Sequence, residues 1–149
     1  MRDHLHHYVV KENCFPENPK QAIINGFAKA EQKFLSMCTT IDENGQQVLI
    51  EKSGSCATVI LIVGETCYAA NVGDSRAILS MNNGEKIVDL SDDHKPSELK
   101  EYNRIIKAGG QVYQTTTTTV MPSNGQETKP ETIIGPIRVL PGRLSVSLI

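Results

Sequence analysis

Between Ser55 and Ser91 four apolar segments follow one another in quick succession: SCATVILIV, TCYAANV, RAILSM and EKIVDLS. They are short, rich in β-branched residues and separated by turn signals, the pattern of an antiparallel meander of four strands. Gly64-Glu65 offers a tight reversal. Asn82-Asn83-Gly84 predicts a hairpin turn, because Asn and Gly tolerate positive φ. SCATVILIV, with its consecutive Val and Ile, predicts a strand buried on both faces.

Helices flank this block. Asn18 followed by Pro19 is a helix start, an N-cap residue and then proline at the first helical position. Ile23, Phe27, Ala30, Phe34 and Met37 then recur at spacings of four, three, four and three, one face of an amphipathic helix. Gly26 inside it costs roughly 1 kcal/mol against alanine. Upstream, RDHLHHYVV reads as the middle or end of another helix. Ile41 to Gln47 is a loop. Downstream, Pro96-Ser97 opens a further helix with Leu99, Tyr102 and Ile106 on one face. Gly109-Gly110 closes it, and Lys107 stands in the last turn where a cation is favoured. QVYQ resumes an extended segment. Thr115 to Glu131, five threonines and then a polar stretch, predicts a flexible insert. Strand character returns in GPIRVLPGRLSVS, around the break Pro141-Gly142.

Composition excludes several classes. Of 149 residues 39% are hydrophobic and 21% charged, which fits a globular domain rather than a disordered segment. The net charge of −2 gives no basic excess for nucleic acid. No stretch approaches the 18 apolar residues of a membrane span. Cys14, Cys38, Cys56 and Cys67 show no C-x-x-C spacing, so they read as reduced core thiols of a cytoplasmic or nuclear protein.

The residues with chemical character are few. YAANVGDSRAIL places Gly73, Asp74, Ser75 and Arg76 between two apolar runs. Taken alone, the patch fits a turn in which Asp74 caps through its own side chain. Asp92 and Asp93 are adjacent, would point to opposite faces of a strand and could not chelate together. His94 reads as a local hydrogen-bonding group rather than a general acid. His4, His6 and His7 lack the three or four converging ligands a zinc site needs and read as a solvated helix tail.

Five strings then fall into one order: SGSCATV (Ser53 to Val59), YAANVGDSRAIL (Tyr68 to Leu79), LSDDHKP (Leu90 to Pro96), RIIKAGGQV (Arg104 to Val112) and IRVLPGRLSVS (Ile137 to Ser147). The series resembles the metal-dependent protein serine/threonine phosphatases of type 2C, the PPM family. The resemblance implies an α+β fold, an antiparallel β-sandwich flanked by helices, here incomplete at both ends, with residues 1–149 a partial domain and 115–131 a flap-like insert. It implies hydrolysis of phosphoserine and phosphothreonine esters in a phosphoprotein substrate by a water bridging two Mg²⁺ or Mn²⁺ ions.

Asp74 matches the aspartate of the family's GDSR string and so resembles a ligand of a weaker, accessory metal site. Gly73, Ser75 and Arg76 would be structural, with Arg76 bracing a loop or a nearby carboxylate. The DGHGG-like segment that would carry the main metal ligand, and the DG- and DN-like segments that would complete it, are not among these residues. No catalytic residue is therefore assigned, and the chain alone is expected to be inactive and to hold no ion tightly. The alternative is a non-catalytic, phosphatase-derived scaffold whose open sheet edges are covered by a protein partner. Neither reading involves nucleic acid or membrane.

Overall fold

The computed structural model describes residues 3–51, 53–119 and 131–140. By internal contacts the chain divides into two compact units, one of Met1–Asn71 with Ala77–Ser91, the other of Val72–Arg76 with Asp92–Ile149.

The first unit opens with α1 (Leu5–Val10) and α2 (Pro19–Cys38). Asn18 caps α2 as its position predicts: its side chain accepts a hydrogen bond from Gln21 N–H at 3.2 Å, and Pro19 needs no donor there. Val9, Ala22 and Ile23 form the buried cluster, with Phe27, Leu61, Tyr68 and Ala70 among the side chains packed on it. The expected apolar face holds over the first turns and then fades. Phe34 is half-buried, Met37 is 59% exposed, and Cys38 is buried in its place.

Gly26 proves to be a packing residue. A Cβ there would lie 2.6 Å from Val9 Cγ2 and 3.0 Å from Val9 N, so the absent side chain lets α1 approach α2. Lys29 and Glu12 form an ion pair across the same junction, and Asn25 Nδ2 donates to Glu12 at 2.9 Å.

Two short strands follow α2: β1 (Thr39–Ile41) and β2 (Gln47–Leu49), antiparallel in the register Thr40↔Val48. Ile41 and Gln47, expected in a loop, thus belong to strand ends. The turn between them is organised by Asp42, whose Oδ1 accepts from Asn44 N–H and Gln46 N–H at 2.9 and 2.8 Å.

β3 (Ala57–Val63) pairs with β4 (Thr66–Val72) across Gly64-Glu65. Burial along β3 alternates between half-buried and exposed. The expectation of a strand covered on both faces is corrected: Leu61 faces the cluster, while Ile60 and Ile62 stand open.

β5 (Ile78–Met81) and β6 (Lys86–Asp89) form a third pair, antiparallel in the register Leu79↔Val88. Asn82, Asn83 and Gly84, all at positive φ, make the 3-10 turn between them. The four expected strands do not form one meander. β3–β4 and β5–β6 are separate two-stranded sheets, because the backbone joining β4 to β5 spends its hydrogen bonds elsewhere.

In the second unit, α3 (Leu99–Lys107) ends on Gly109 at φ +83. The Gly110 N–H returns to Ile105 O and the Gly109 N–H to Ile106 O, a left-handed glycine stop. The buried side chains are Ile105 and Glu101, whereas Leu99, Tyr102 and Ile106 are exposed. The sequence spacing therefore picked the wrong stripe. Arg104 Nη2 donates to Glu101 at 2.6 Å, an i, i+3 ion pair that lets Glu101 lie on the covered side.

β7 (Gln111–Thr119) and β8 (Glu131–Leu140) pair antiparallel, Val112↔Val139 and Thr117↔Ile133. Thr116 to Thr119 are thus ladder rather than loop, and Thr115 lies within β7 at a bulge. The register shifts between Gln114 and Thr116, where Gly135 makes room for the Thr115 side chain. Residues 120–130 of the expected insert, 141–147 of the last string and the final two residues lie outside the described residues.

Candidate functional site

The loop between β4 and β5 is held from both ends. Gly73 is buried at φ +109, a conformation open to glycine and strained for other residues. Its N–H donates to His94 Nδ1 at 3.3 Å, and its carbonyl accepts from His94 N–H at 3.0 Å. Accepting at Nδ1 requires that nitrogen to be unprotonated. His94 thus makes local hydrogen bonds, the role its sequence position suggested.

Three residues on, Arg76 Nε donates to Asp93 Oδ1 at 2.9 Å, and Lys95 Nζ donates to Asp93 Oδ2 at 2.7 Å. The Asp93 side chain is 8% exposed against 55% for Arg76 and 43% for Lys95. The hydrogen bond from Arg76, and next that from Lys95, pull the Asp93 carboxyl down to a pKa of about 2. Lys95 shifts the other way, raised mainly by its hydrogen bond to Asp93, with smaller help from the Asp74 carboxylate.

Four residues are therefore pinned at first and last position, Gly73 by His94 and Arg76 by Asp93. Asp74 and Ser75 lie between and are exposed. Arg76 pairs with a carboxylate; the resemblance implied that it would brace a loop or a nearby carboxylate. The identity of that carboxylate, seventeen residues away, carries no periodic signal and was missed. Asp92 and Asp93 diverge: Asp92 accepts from Lys100 Nζ at 2.7 Å, which lowers its pKa.

Among the described residues no three His, Cys, Asp or Glu side chains converge into a metal-holding group. Hard divalent ions take about six or more oxygen ligands, so the described residues do not by themselves fit a two-metal centre. His4, His6 and His7 are exposed on or beside α1. The His6 and His7 rings lie 4.0 Å apart, and the charge of His6 is the chief cause of the lowered His7 pKa. Of the four cysteines, all free thiols, Cys38 is buried and Cys67 exposed, so the expectation of core thiols fails for Cys67. No described helix is long and apolar enough to cross a membrane.

A family model for protein phosphatase 2C matches residues 1–123. The chain is 36% identical over 112 residues to the probable protein phosphatase 2C 52 of Oryza sativa subsp. japonica, covering 75% of this chain and 21% of that protein. It is 36% identical over 110 residues to the probable protein phosphatase 2C 11 of Arabidopsis thaliana, covering 74% and 27%. To the integrin-linked kinase-associated serine/threonine phosphatase 2C of Bos taurus it is 38% identical over 97 residues, covering 62% and 25%. The chain belongs to the protein phosphatase 2C family, and it spans between a fifth and about a quarter of the length of these relatives. The match takes in both N-terminal helices and the first four ordered strings; IRVLPGRLSVS falls beyond residue 123.

Proposed function

We propose that the chain is the central portion of a metal-dependent protein serine/threonine phosphatase. Its substrate class is phosphoserine and phosphothreonine in a phosphoprotein. Its setting is intracellular, in keeping with four free thiols. In the complete domain the small antiparallel sheets described above extend into a two-sheet sandwich. Mg²⁺ or Mn²⁺, with Asp74 as an accessory ligand, would supply Lewis-acid neutralisation of charge on the phosphoryl oxygens there.

The observation that carries this reading is the pinned loop. Gly73 and Arg76 are fastened to His94 and Asp93, so the one carboxylate between them, Asp74, is presented outward on fixed backbone. We assign Asp74 to an accessory metal position and Gly73, Ser75 and Arg76 to its support. One carboxylate cannot assemble a binuclear centre, and the remaining oxygen donors come from outside these residues. The chain alone is then inert.

The test is incubation of the 149-residue protein with Mn²⁺ and a chromogenic phosphate ester. No turnover is expected, and turnover abolished by Asp74→Ala would overturn the assignment of inertness. A second reading, a non-catalytic scaffold with a protein partner, draws on the open face of β3, where Ile60 is 45% and Ile62 70% exposed. Cooperative unfolding of a soluble monomer would count against that partner. Solubility only in a complex would favour it.

A further inference from the structure

We propose that Asn83 is a site of spontaneous deamidation, selected by the fold from among Asn-Gly pairs that the sequence makes equivalent. Four such pairs occur, at Asn25, Asn44, Asn83 and Asn124; the last lies outside the described residues. The chemistry needs no enzyme. The Gly84 backbone nitrogen gives its proton to solvent base and attacks Asn83 Cγ. An N–Cγ bond forms, the Cγ–Nδ2 bond breaks, and the nitrogen leaves as ammonia. Water then opens the resulting succinimide at either carbonyl, giving aspartate or isoaspartate. One water is consumed, nothing is oxidised or reduced, and one negative charge is added to a chain of net −2.

The three described pairs differ in how firmly both reacting groups are held. Asn25 Nδ2 donates to Glu12 at 2.9 Å and its Oδ1 accepts from Gln21 Nε2 at 2.8 Å. Gly26 is buried within α2 against Val9. Ring closure there requires the helix to open. Asn44 sits in an exposed turn, but Asp42 fastens it: Asn44 N–H donates to Asp42 Oδ1 at 2.9 Å, and the attacking Gly45 N–H donates to Asp42 O at 3.0 Å.

Around Asn83 the situation is looser. Met81 to Ile87 are all exposed, and, as at Gly45, no heavy atom lies within 4 Å of where a Gly84 Cβ would stand; unlike Gly45, Gly84 has among the described residues no carboxylate-anchored turn of the Asp42 kind beside it. The turn places Asn82 at φ 52 and Asn83 at φ 55, left-handed positions that Asn tolerates, so no strain distinguishes it and its exposure does. Glu85 N–H to Asn82 O is a long closing bond at 3.2 Å. At ψ 33 Asn83 is not in the cyclising geometry, so the turn must open, and exposed turns open most readily.

The experiment follows all sites in one sample. The folded full chain is held in mildly alkaline buffer, digested with trypsin and mapped by mass spectrometry; each pair falls on its own tryptic peptide. Asn83 is expected to convert at least about tenfold faster than Asn25, with Asn44 between them. In concentrated urea the three rates should converge. Asn25 keeping pace with Asn83 in the folded chain, or Asn44 outrunning Asn83, would overturn the proposal, as would a urea sample that preserves the folded-state ranking.

Discussion

Replacing Gly26 by alanine sets two known effects against each other. Alanine is the better helix former by about 1 kcal/mol, so in an isolated α2 the change would stabilise. In the folded chain the new methyl would lie 2.6 Å from Val9 Cγ2, 3.0 Å from Val9 N and 3.1 Å from Val9 Cα. Val9 is 5% exposed, and two of the three contacts are backbone, so α1 itself must shift. Overpacking of this kind costs about 1–3 kcal/mol. With two backbone contacts we take the upper part of that range and, after the helix gain, expect a net loss of about 1–2 kcal/mol. For a chain of this size that corresponds to a fall in Tm of about 2–8 °C.

Urea denaturation of Gly26→Ala measures it. The double variant with Val9→Ala removes the Cγ2 contact but leaves those to Val9 N and Cα. The Gly26→Ala penalty should therefore shrink without vanishing, with a coupling of about 0.5–3 kcal/mol. A Gly26→Ala protein as stable as the parent would refute the claim that this glycine sets the approach of α1 to α2.

Other outcomes follow from the same geometry. Ile105→Ala should cost about 2–5 kcal/mol, whereas Leu99→Ala, at a 75% exposed position, should stay within about 0.5 kcal/mol; equal effects in urea melts would mean the wrong face of α3 has been described. Asn18→Ala should cost about 1 kcal/mol through loss of the α2 cap, read in the same assay. The Asp93 carboxyl, depressed in the folded chain first by Arg76 and then by Lys95, contributes stability that is present above the ordinary carboxylate range and lost as pH falls through about 2. A ¹³C carboxyl titration should show that low midpoint in the parent and a higher one in Arg76→Ala; an unchanged midpoint would remove Arg76 as the leading cause.

What the sequence disclosed was local. The α2 start was readable because Asn18-Pro19 is capping chemistry, and the Asn82–Gly84 turn because positive φ selects those residue types. The α3 stop at Gly109 was legible for the same reason. Burial was less so. Leu99, Tyr102 and Ile106 have helical spacing, yet Ile105 packs and Glu101 is carried to the covered side by Arg104, a pairing that hydrophobic pattern does not weigh. Thr115 to Thr119 looked like loop because no alternation marks a homopolymer, although threonine suits a strand. At the candidate site Gly73, Asp74 and Arg76 stood out as a patch. The partners that fix Arg76 and Gly73, Asp93 and His94, could be found only once the chain had folded, since nothing in gaps of seventeen and twenty-one residues encodes contact.

The grouping of Val72–Arg76 with the stretch from Asp92 onward has a consequence for anyone dissecting this protein genetically. The second unit is spliced from two separated lengths of polypeptide, with the β5–β6 hairpin encoded between them. An expression clone that begins at Asp92 discards the guanidinium that neutralises Asp93, and one that ends at Arg76 discards the imidazole that Gly73 binds. During translation the short strip emerges before Asp93 and His94, the residues that Arg76 and Gly73 bind.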